Sequence, residues 1–313
     1  VLALTTMYQI ATAVREDRHP IPGDVTPDPA LHFYRQGQGS PTIVLDHSLG
    51  GVEGYVLVEA LSELSPVFVY DRAGYGWSQQ RRQPRTSKHI VQELDALLQS
   101  AAVPPPYVLV GDSFGSFNTR LYAHLFPEKV VGLVLTDGLH ESGMLHLPVA
   151  LRLLKLFFLS GFVMSTLGSA TGIVRLIERL GLFEVIKPEL RHIPQPHRRW
   201  MKRSFCRPKH WITMARELGG IHQSAKEASV AQHLGTLPIV SIKAQSFFKP
   251  SLWTRFIPLR QANQVRDTMH TSLSQLSDNV QVIPAPSSGH FVWIDQPEVI
   301  VEAVKIVLRQ AVA

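Results

Sequence analysis

The residue with the clearest chemical reading in this chain is a serine, set in Gly111-Asp112-Ser113-Phe114-Gly115. A serine hydroxyl is a poor nucleophile near neutral pH and needs a neighbouring base, for which histidine is best matched. The histidine needs a carboxylate to hold its tautomer and stabilise the imidazolium. A G-x-S-x-G sequence serves such chemistry when it lies on a sharp turn between a strand and a helix. The context fits. Pro106 to Val110 is a short apolar run that reads as a buried strand, and Phe117, Leu121, Tyr122 and Leu125 follow at helical spacing. The two glycines let the backbone pass tightly, and Phe114 N–H, at the start of the helix, points where an oxyanion would form.

The elements that must position this turn alternate along the chain. Leu31 to Tyr34 and Pro41 to Leu45 read as strands, the second ending in Asp46-His47-Ser48-Leu49-Gly50-Gly51. Pro66 to Tyr70 is the next strand, closed by Asp71-Arg72-Ala73-Gly74-Tyr75-Gly76, in which Asp71 and Arg72 read as fixing the turn. Ile90 to Leu98 is an amphipathic helix. Beyond the serine turn, Val130 to Thr136 is a strand ending at Asp137. After a long interruption the pattern resumes with a strand at Leu237 to Ile242, a helix at Leu259 to Leu276, a strand at Val280 to Ile283 and a final helix through Val304. Strands alternating with helices predict an α/β fold, a mostly parallel sheet flanked by helices. Ligand sites in such sheets lie at the C-terminal strand ends, where Leu49, Ser113 and Asp137 fall.

The expected organisation is an apolar segment and Pro-rich linker over 1–29, a core over 30–137 and 237–313, and a helical insertion over 138–236. A chain of 313 residues, 45% hydrophobic and 18% charged, can bury such a core. Its one cysteine, Cys206, rules out an intrachain disulfide and a cysteine metal cage. No uninterrupted run of 18 apolar residues is present, so no spanning segment is expected. The chain opens on Val1 rather than methionine, which suggests a missing upstream piece. Val1 to Val14 is mostly apolar and precedes Arg15-Glu16-Asp17-Arg18. It reads as the tail of a signal peptide or membrane anchor, or as an amphipathic helix on the surface. These alternatives leave a membrane-associated and a cytoplasmic location both open.

The serine turn, the His47-Ser48-Leu49-Gly50 loop, Asp71 to Gly76 and the late Ser288-Gly289-His290 together resemble the α/β-hydrolase superfamily, over almost the whole chain from Leu31. The resemblance implies that His290 is the catalytic histidine, that Leu49 N–H joins Phe114 N–H in the oxyanion hole, and that the insertion is a cap over the site. In many such hydrolases the acid follows the penultimate strand. Here Lys243 to Phe248, read on to Arg260, contains no aspartate or glutamate. The resemblance then points to Asp137, at an alternative acid position, ahead of Asp278 and Asp295. Adjacent strands lie about 4.8 Å apart, so one histidine can reach both Ser113 and Asp137. Asp112 departs from the pattern, because a fixed negative charge beside a developing oxyanion is unhelpful.

The expected function is a serine hydrolase that cleaves a carboxylic ester or related acyl bond through an acyl-enzyme, with no metal and no cofactor. A serine at the turn argues against dehalogenase and epoxide-hydrolase chemistry, which needs a carboxylate nucleophile. Two alternatives remain: a ligand-binding or receptor-type homologue with little turnover, and a carbon–carbon bond hydrolase or lyase on the same scaffold. From Gly138 to Thr236 there are 14 lysines and arginines against 6 aspartates and glutamates, a net of +8 in a chain whose total is +6. Leu147 to Ile177 is almost wholly apolar. It reads as lining an apolar substrate pocket, or as lying in a membrane interface with Arg198, Arg199, Lys202, Arg203, Arg207 and Lys209 facing anionic headgroups. Either way the expected partner is a small hydrophobic acyl or ester substrate and not nucleic acid; the sequence sets no oligomeric state.

Overall fold

A computed structural model describes residues 2–186, 188–247 and 258–312. Helix α1 (Leu2–Asp17) leads into strands β1 (Asp24–Val25), β2 (His32–Gln36) and β3 (Thr42–Asp46). Helix α2 (Val58–Ser62), β4 (Val67–Tyr70), α3 (Ser87–Ser100), β5 (Tyr107–Asp112), α4 (Gly115–Leu125) and β6 (Val130–Thr136) follow. Six helices come next: α5 (Glu141–Met144), α6 (Val149–Ala170), α7 (Ile173–Arg179), α8 (Phe183–Ile186), α9 (Gln195–Phe205) and α10 (Pro208–Ala228). Then β7 (Ile239–Ala244), α11 (Leu259–Leu273), β8 (Val280–Ala285), α12 (Val292–Asp295) and α13 (Pro297–Val312) complete the described chain.

The strands form one sheet in the order β1-β2-β4-β3-β5-β6-β7-β8, parallel from β4 to β8. The period of two along each buried strand decides which helix it meets. Val44, Phe68, Leu109, Leu133 and Leu135 face α3 and α4, whose Leu94, Leu97 and Tyr122 complete that core. Ile43, Val67, Val108, Val110 and Val134 face the opposite way, onto Leu61 of α2 and Val304 and Val307 of α13. Parallel strands covered on both faces explain the near-continuous apolar runs in the sequence.

Several boundaries differ from the sequence-based expectation. The supposed linker over 20–29 contains β1, which pairs with β2, and β2 runs antiparallel to β4, so one edge of the sheet is mixed. The strand after the insertion begins two residues later than expected, at Ile239, and β8 runs on to Ala285. A proline inside β8 is tolerated because that strand is at the edge. Helix α6 is long and apolar enough to cross a membrane, which the sequence reading missed because Arg152, Lys155 and small polar residues interrupt the apolar run.

Gly132 shows how closely a helix packs on this sheet. A Cβ built there would lie 2.2 Å from Val307 Cγ1 on α13. Gly132→Ala is expected to destabilise the fold by about 1–3 kcal/mol through overpacking. The paired change with Val307→Ala should recover part of that loss, giving a non-additive double-mutant cycle. Urea denaturation of the four proteins tests it, and strict additivity would contradict the packing.

Candidate active site

Strand β5 runs straight into the turn, and the turn leaves Ser113 in a left-handed backbone conformation, φ +49°. That region is strained for a non-glycine residue. Both flanking glycines are required: a Cβ on Gly111 would sit 2.5 Å from Thr119 Oγ1, and one on Gly115 would sit 2.4 Å from the Asp46 carbonyl oxygen. The second contact shows how close the loop after β3 comes to the turn. Ser113 N–H donates to Thr136 O (2.9 Å), and Ser116 Oγ donates to Ser113 O (2.7 Å) and Leu139 O (2.8 Å). Ser116 therefore ties the turn to the segment leaving β6.

Ser113, His290 and Asp137 come together in one hydrogen-bonded series. His290 Nε2 lies 2.8 Å from Ser113 Oγ, and His290 Nδ1 lies 2.6 Å from Asp137 Oδ2. Asp137 is the first residue after β6, is itself left-handed (φ +39°), and is buried. Its other oxygen, Oδ1, accepts from Ala244 N–H (3.2 Å) and meets His270 Nε2 (2.9 Å), with Arg266 Nη1 at 3.5 Å. Burial alone would raise the Asp137 pKa, but the hydrogen bonds and charge of His270 and His290 outweigh it and hold the carboxyl well below the usual range. Arg266 also caps β7 by donating to Ala244 O and Gln245 O. Phe247 stacks on the His290 ring at 4.6 Å. The acid-free stretch read from Lys243 to Arg260 lies partly outside the described residues, at 248–257.

The competing acids lie elsewhere. Asp278 is at the far, exposed end of the sheet beside His233. Asp295 accepts from Gly289 N–H (3.0 Å) and so shapes the loop that carries His290. Neither meets the His290 ring in any described hydrogen bond.

The loop after β3 is held from behind by Arg72, and all five of its N–H donors are used. Nη1 donates to Asp46 Oδ1 and His47 O, and Nη2 to Ser48 O and Glu217 Oε2. Nε donates to Glu217 Oε1, and the guanidinium lies over the Phe114 ring at 5.4 Å. A trans peptide sets C=O and N–H antiparallel, so drawing Ser48 O onto Arg72 turns Leu49 N–H away from it. None of the Arg72 donors goes to the turn after β4 that it was expected to fix; they bind three carbonyl and carboxylate groups of the loop after β3 to helix α10. Asp71 pairs with His32 (2.8 Å) and takes Trp77 N–H, and these hold its carboxyl down at about 2 despite burial.

Sequence reasoning missed His270, Arg266 and Glu217. Each sits on an ordinary amphipathic helix, α11 or α10, with no motif around it. Among the described residues no three His, Cys, Asp or Glu side chains converge to hold a metal ion.

Asp112 is fully buried and its Oδ1 has no hydrogen-bond partner. Burial first, then the charges of Glu53 and Asp137, push its carboxyl pKa well up. The shift favours the neutral carboxyl, the form that places no charge beside the serine. Its folded pKa lies above the unfolded value, so unfolding releases a proton and this residue's contribution to stability falls as pH rises. Asp112→Asn is therefore expected to keep activity and to gain stability relative to the parent as pH rises above about 4. Urea midpoints across that range test it; an Asn variant that loses ground as pH rises would mean the carboxylate is ionised.

With this geometry in place, comparison with known proteins is informative. Residues 41–170 match the family model described as alpha/beta hydrolase fold. The chain is 37% identical over 106 residues to the uncharacterized protein YqjL of Bacillus subtilis, covering 33% of this chain and 42% of that protein. It is 31% identical over 158 residues to a cis-3-alkyl-4-alkyloxetan-2-one decarboxylase of Shewanella oneidensis, covering 46% and 49%. The chain spans between 34% and 49% of the length of the first four curated relatives it matches. The solved epoxide hydrolase CorEH superposes with a TM-score of 0.66 at 17% identity, over 89% of this chain and 95% of that one, a likeness of fold alone.

Proposed function

We propose that this chain, which has the α/β-hydrolase fold and matches that family's model over residues 41–170, is a serine hydrolase cleaving a carboxylic ester or related acyl bond. The observation that carries this reading is the series Ser113 Oγ, His290, Asp137, with contacts of 2.8 and 2.6 Å. These are the separations at which an imidazole can take a hydroxyl proton directly.

Ser113 Oγ attacks the acyl carbon while its proton passes to His290 Nε2. Asp137 holds Nδ1–H and stabilises the imidazolium without itself taking the proton. Its low pKa keeps it ionised throughout. The oxyanion is held by Phe114 N–H, an orphan donor at the start of α4, and by Leu49 N–H on the loop drawn back by Arg72. His290 then gives its proton to the leaving alcohol oxygen as the C–O bond breaks. Water repeats the sequence against the acyl-enzyme and releases the acid.

Support for a hydrophobic acyl group comes from the insertion side of the site. Leu139, whose N–H donates to Ser113 O, belongs to an apolar cluster with Phe114, Phe117 and Ile221, against which Leu49, Leu145 and Leu218 pack. Such a wall offers a hydrophilic acyl chain few partners. The helices α5 to α10 are read as the cap that sets chain length. A serine nucleophile separates this reading from epoxide opening through a carboxylate ester, despite the shared fold with CorEH.

Ser113→Ala is expected to abolish labelling by a fluorophosphonate and hydrolysis of p-nitrophenyl esters. Asp137→Asn should lower kcat by about three to four orders of magnitude with the fold retained, while Asp278→Asn and Asp295→Asn keep most of it. Labelling that persists in Ser113→Ala, or a crippling effect at Asp278, would overturn the assignment. Stoichiometric labelling without turnover of any ester would favour the ligand-binding alternative.

A further inference from the structure

Helix α1 is folded inside out. Its buried residues are Gln9 and Thr12, whereas Leu4 and Met7 are 71% and 66% exposed, with Leu2, Ile10 and Val14 alongside. A helix covering a protein in water shows the reverse pattern. The polar stripe is occupied by the insertion. Gln9 donates to Cys206 O (2.8 Å) and accepts from Arg175 Nε (2.6 Å), and Glu16 pairs with Arg175 and Arg207. Arg175 is buried, and its partners are on α1. Helix α1 is thus built into the folded unit rather than resting on it.

The apolar side of α1 continues onto its neighbours. Gly172, between α6 and α7, abuts the Thr5 carbonyl, where a Cβ would lie 2.2 Å from the oxygen. On α6 only Phe162 and Ser169 are buried, while Leu153, Phe157, Val163 and Met164 stand exposed. Of the 24 exposed large hydrophobic residues described, 18 fall within 2–14 and 149–185, so the exposure is one patch and not scatter.

Among the described residues the unpaired charge of this patch has one sign, because Glu178 and Glu184 both pair with Lys202. No acidic residue lies between Leu147 and Ile177. The acids beside it are all engaged: Glu16 and Asp17 with Arg203 and Arg207, Glu178 with Lys202. Arg15, Arg18, Arg152 and Lys155 form no ion pair among the described residues. A second copy seated on this face would bring these cations together, whereas anionic headgroups would neutralise them. The basic residues expected at headgroups are mostly not available: Lys202 pairs with Glu184, Arg203 and Arg207 with α1, and Lys209 donates to Ser78 O.

We propose that the face formed by α1, α6 and α7 seats in the headgroup boundary of a lipid bilayer bearing anionic lipid, with the sheet left in water. Although α6 has the length to span, it packs along α10, with the Phe162 ring 6.1 Å from Trp211, and spanning would strip that contact. The helices therefore lie in the plane of the interface. This inference stands apart from the catalytic reading.

The test is flotation of the full chain with vesicles of phosphatidylcholine alone and with phosphatidylserine added, at low and high salt. The parent should bind both, more strongly with anionic lipid, and salt should weaken only that increment. The double variants Met7→Glu/Phe157→Glu and Leu4→Glu/Met164→Glu should partition at least about tenfold less, with the thermal midpoint and hydrolysis of a soluble ester unchanged. A parent that floats with neither vesicle overturns the proposal. So does partitioning indifferent to both double variants, or a parent that sediments as a dimer while the variants are monomers.

Discussion

The Arg72 guanidinium is the contact on which the arrangement of this molecule depends most. It is buried, its five donors are all taken by the loop after β3 and by Glu217 of α10, and its face lies over the Phe114 ring. Two carboxylates, Asp46 and Glu217, face one cation, with Tyr70 and Tyr75 hydroxyls donating to them. A buried ion pair of this kind contributes little net stability, since desolvation offsets most of the attraction, yet loss of one partner strands the others. What it supplies here is geometry. The loop after β3, the first turn of α4 through Phe114, and helix α10 of the insertion are fixed against one planar group. Any movement of α10 is therefore felt at the loop beside Ser113.

Two buried aspartates near that serine are shifted in opposite directions, and the difference is one of partners. Asp137 has a backbone N–H and two histidines, and stays ionised. Asp112 has an unpartnered oxygen and two carboxylates in range, and its pKa is pushed up. Having both ionised would place like charges in a poorly solvated region. The opposite shifts favour charge on Asp137, beside the histidine, over charge on Asp112. His270 acts on the same carboxylate from the side opposite His290, so the orientation of Asp137 is set by an element, α11, that does not touch the serine.

What was legible in the sequence follows the range of the interactions involved. Ser113 sits in a local pattern whose glycines are demanded by contacts within a few residues. Asp137 and His290 could be placed because strand ends in a parallel sheet converge on one edge. His270 and Glu217 act across 133 and 145 residues, and nothing near them in the chain distinguishes them from solvent-facing helix residues. The state of Asp112 was equally out of reach, because it depends on how deeply the packed fold excludes water. The short β1 pairing escaped notice for a different reason: two residues carry too little periodicity to be read.

Ser113 and Asp137 share a backbone feature whose effect extends beyond chemistry. Both lie at ends of neighbouring strands with positive φ, where a side chain is disfavoured by about 1–3 kcal/mol each. Glycine would relieve that strain at either position, but at Asp137 it would also leave Ala244 N–H, His270 and Arg266 without their carboxylate. Glycine at position 113 would thus harden the fold at the expense of the proposed nucleophile, whereas glycine at position 137 would exchange backbone strain for stranded buried donors.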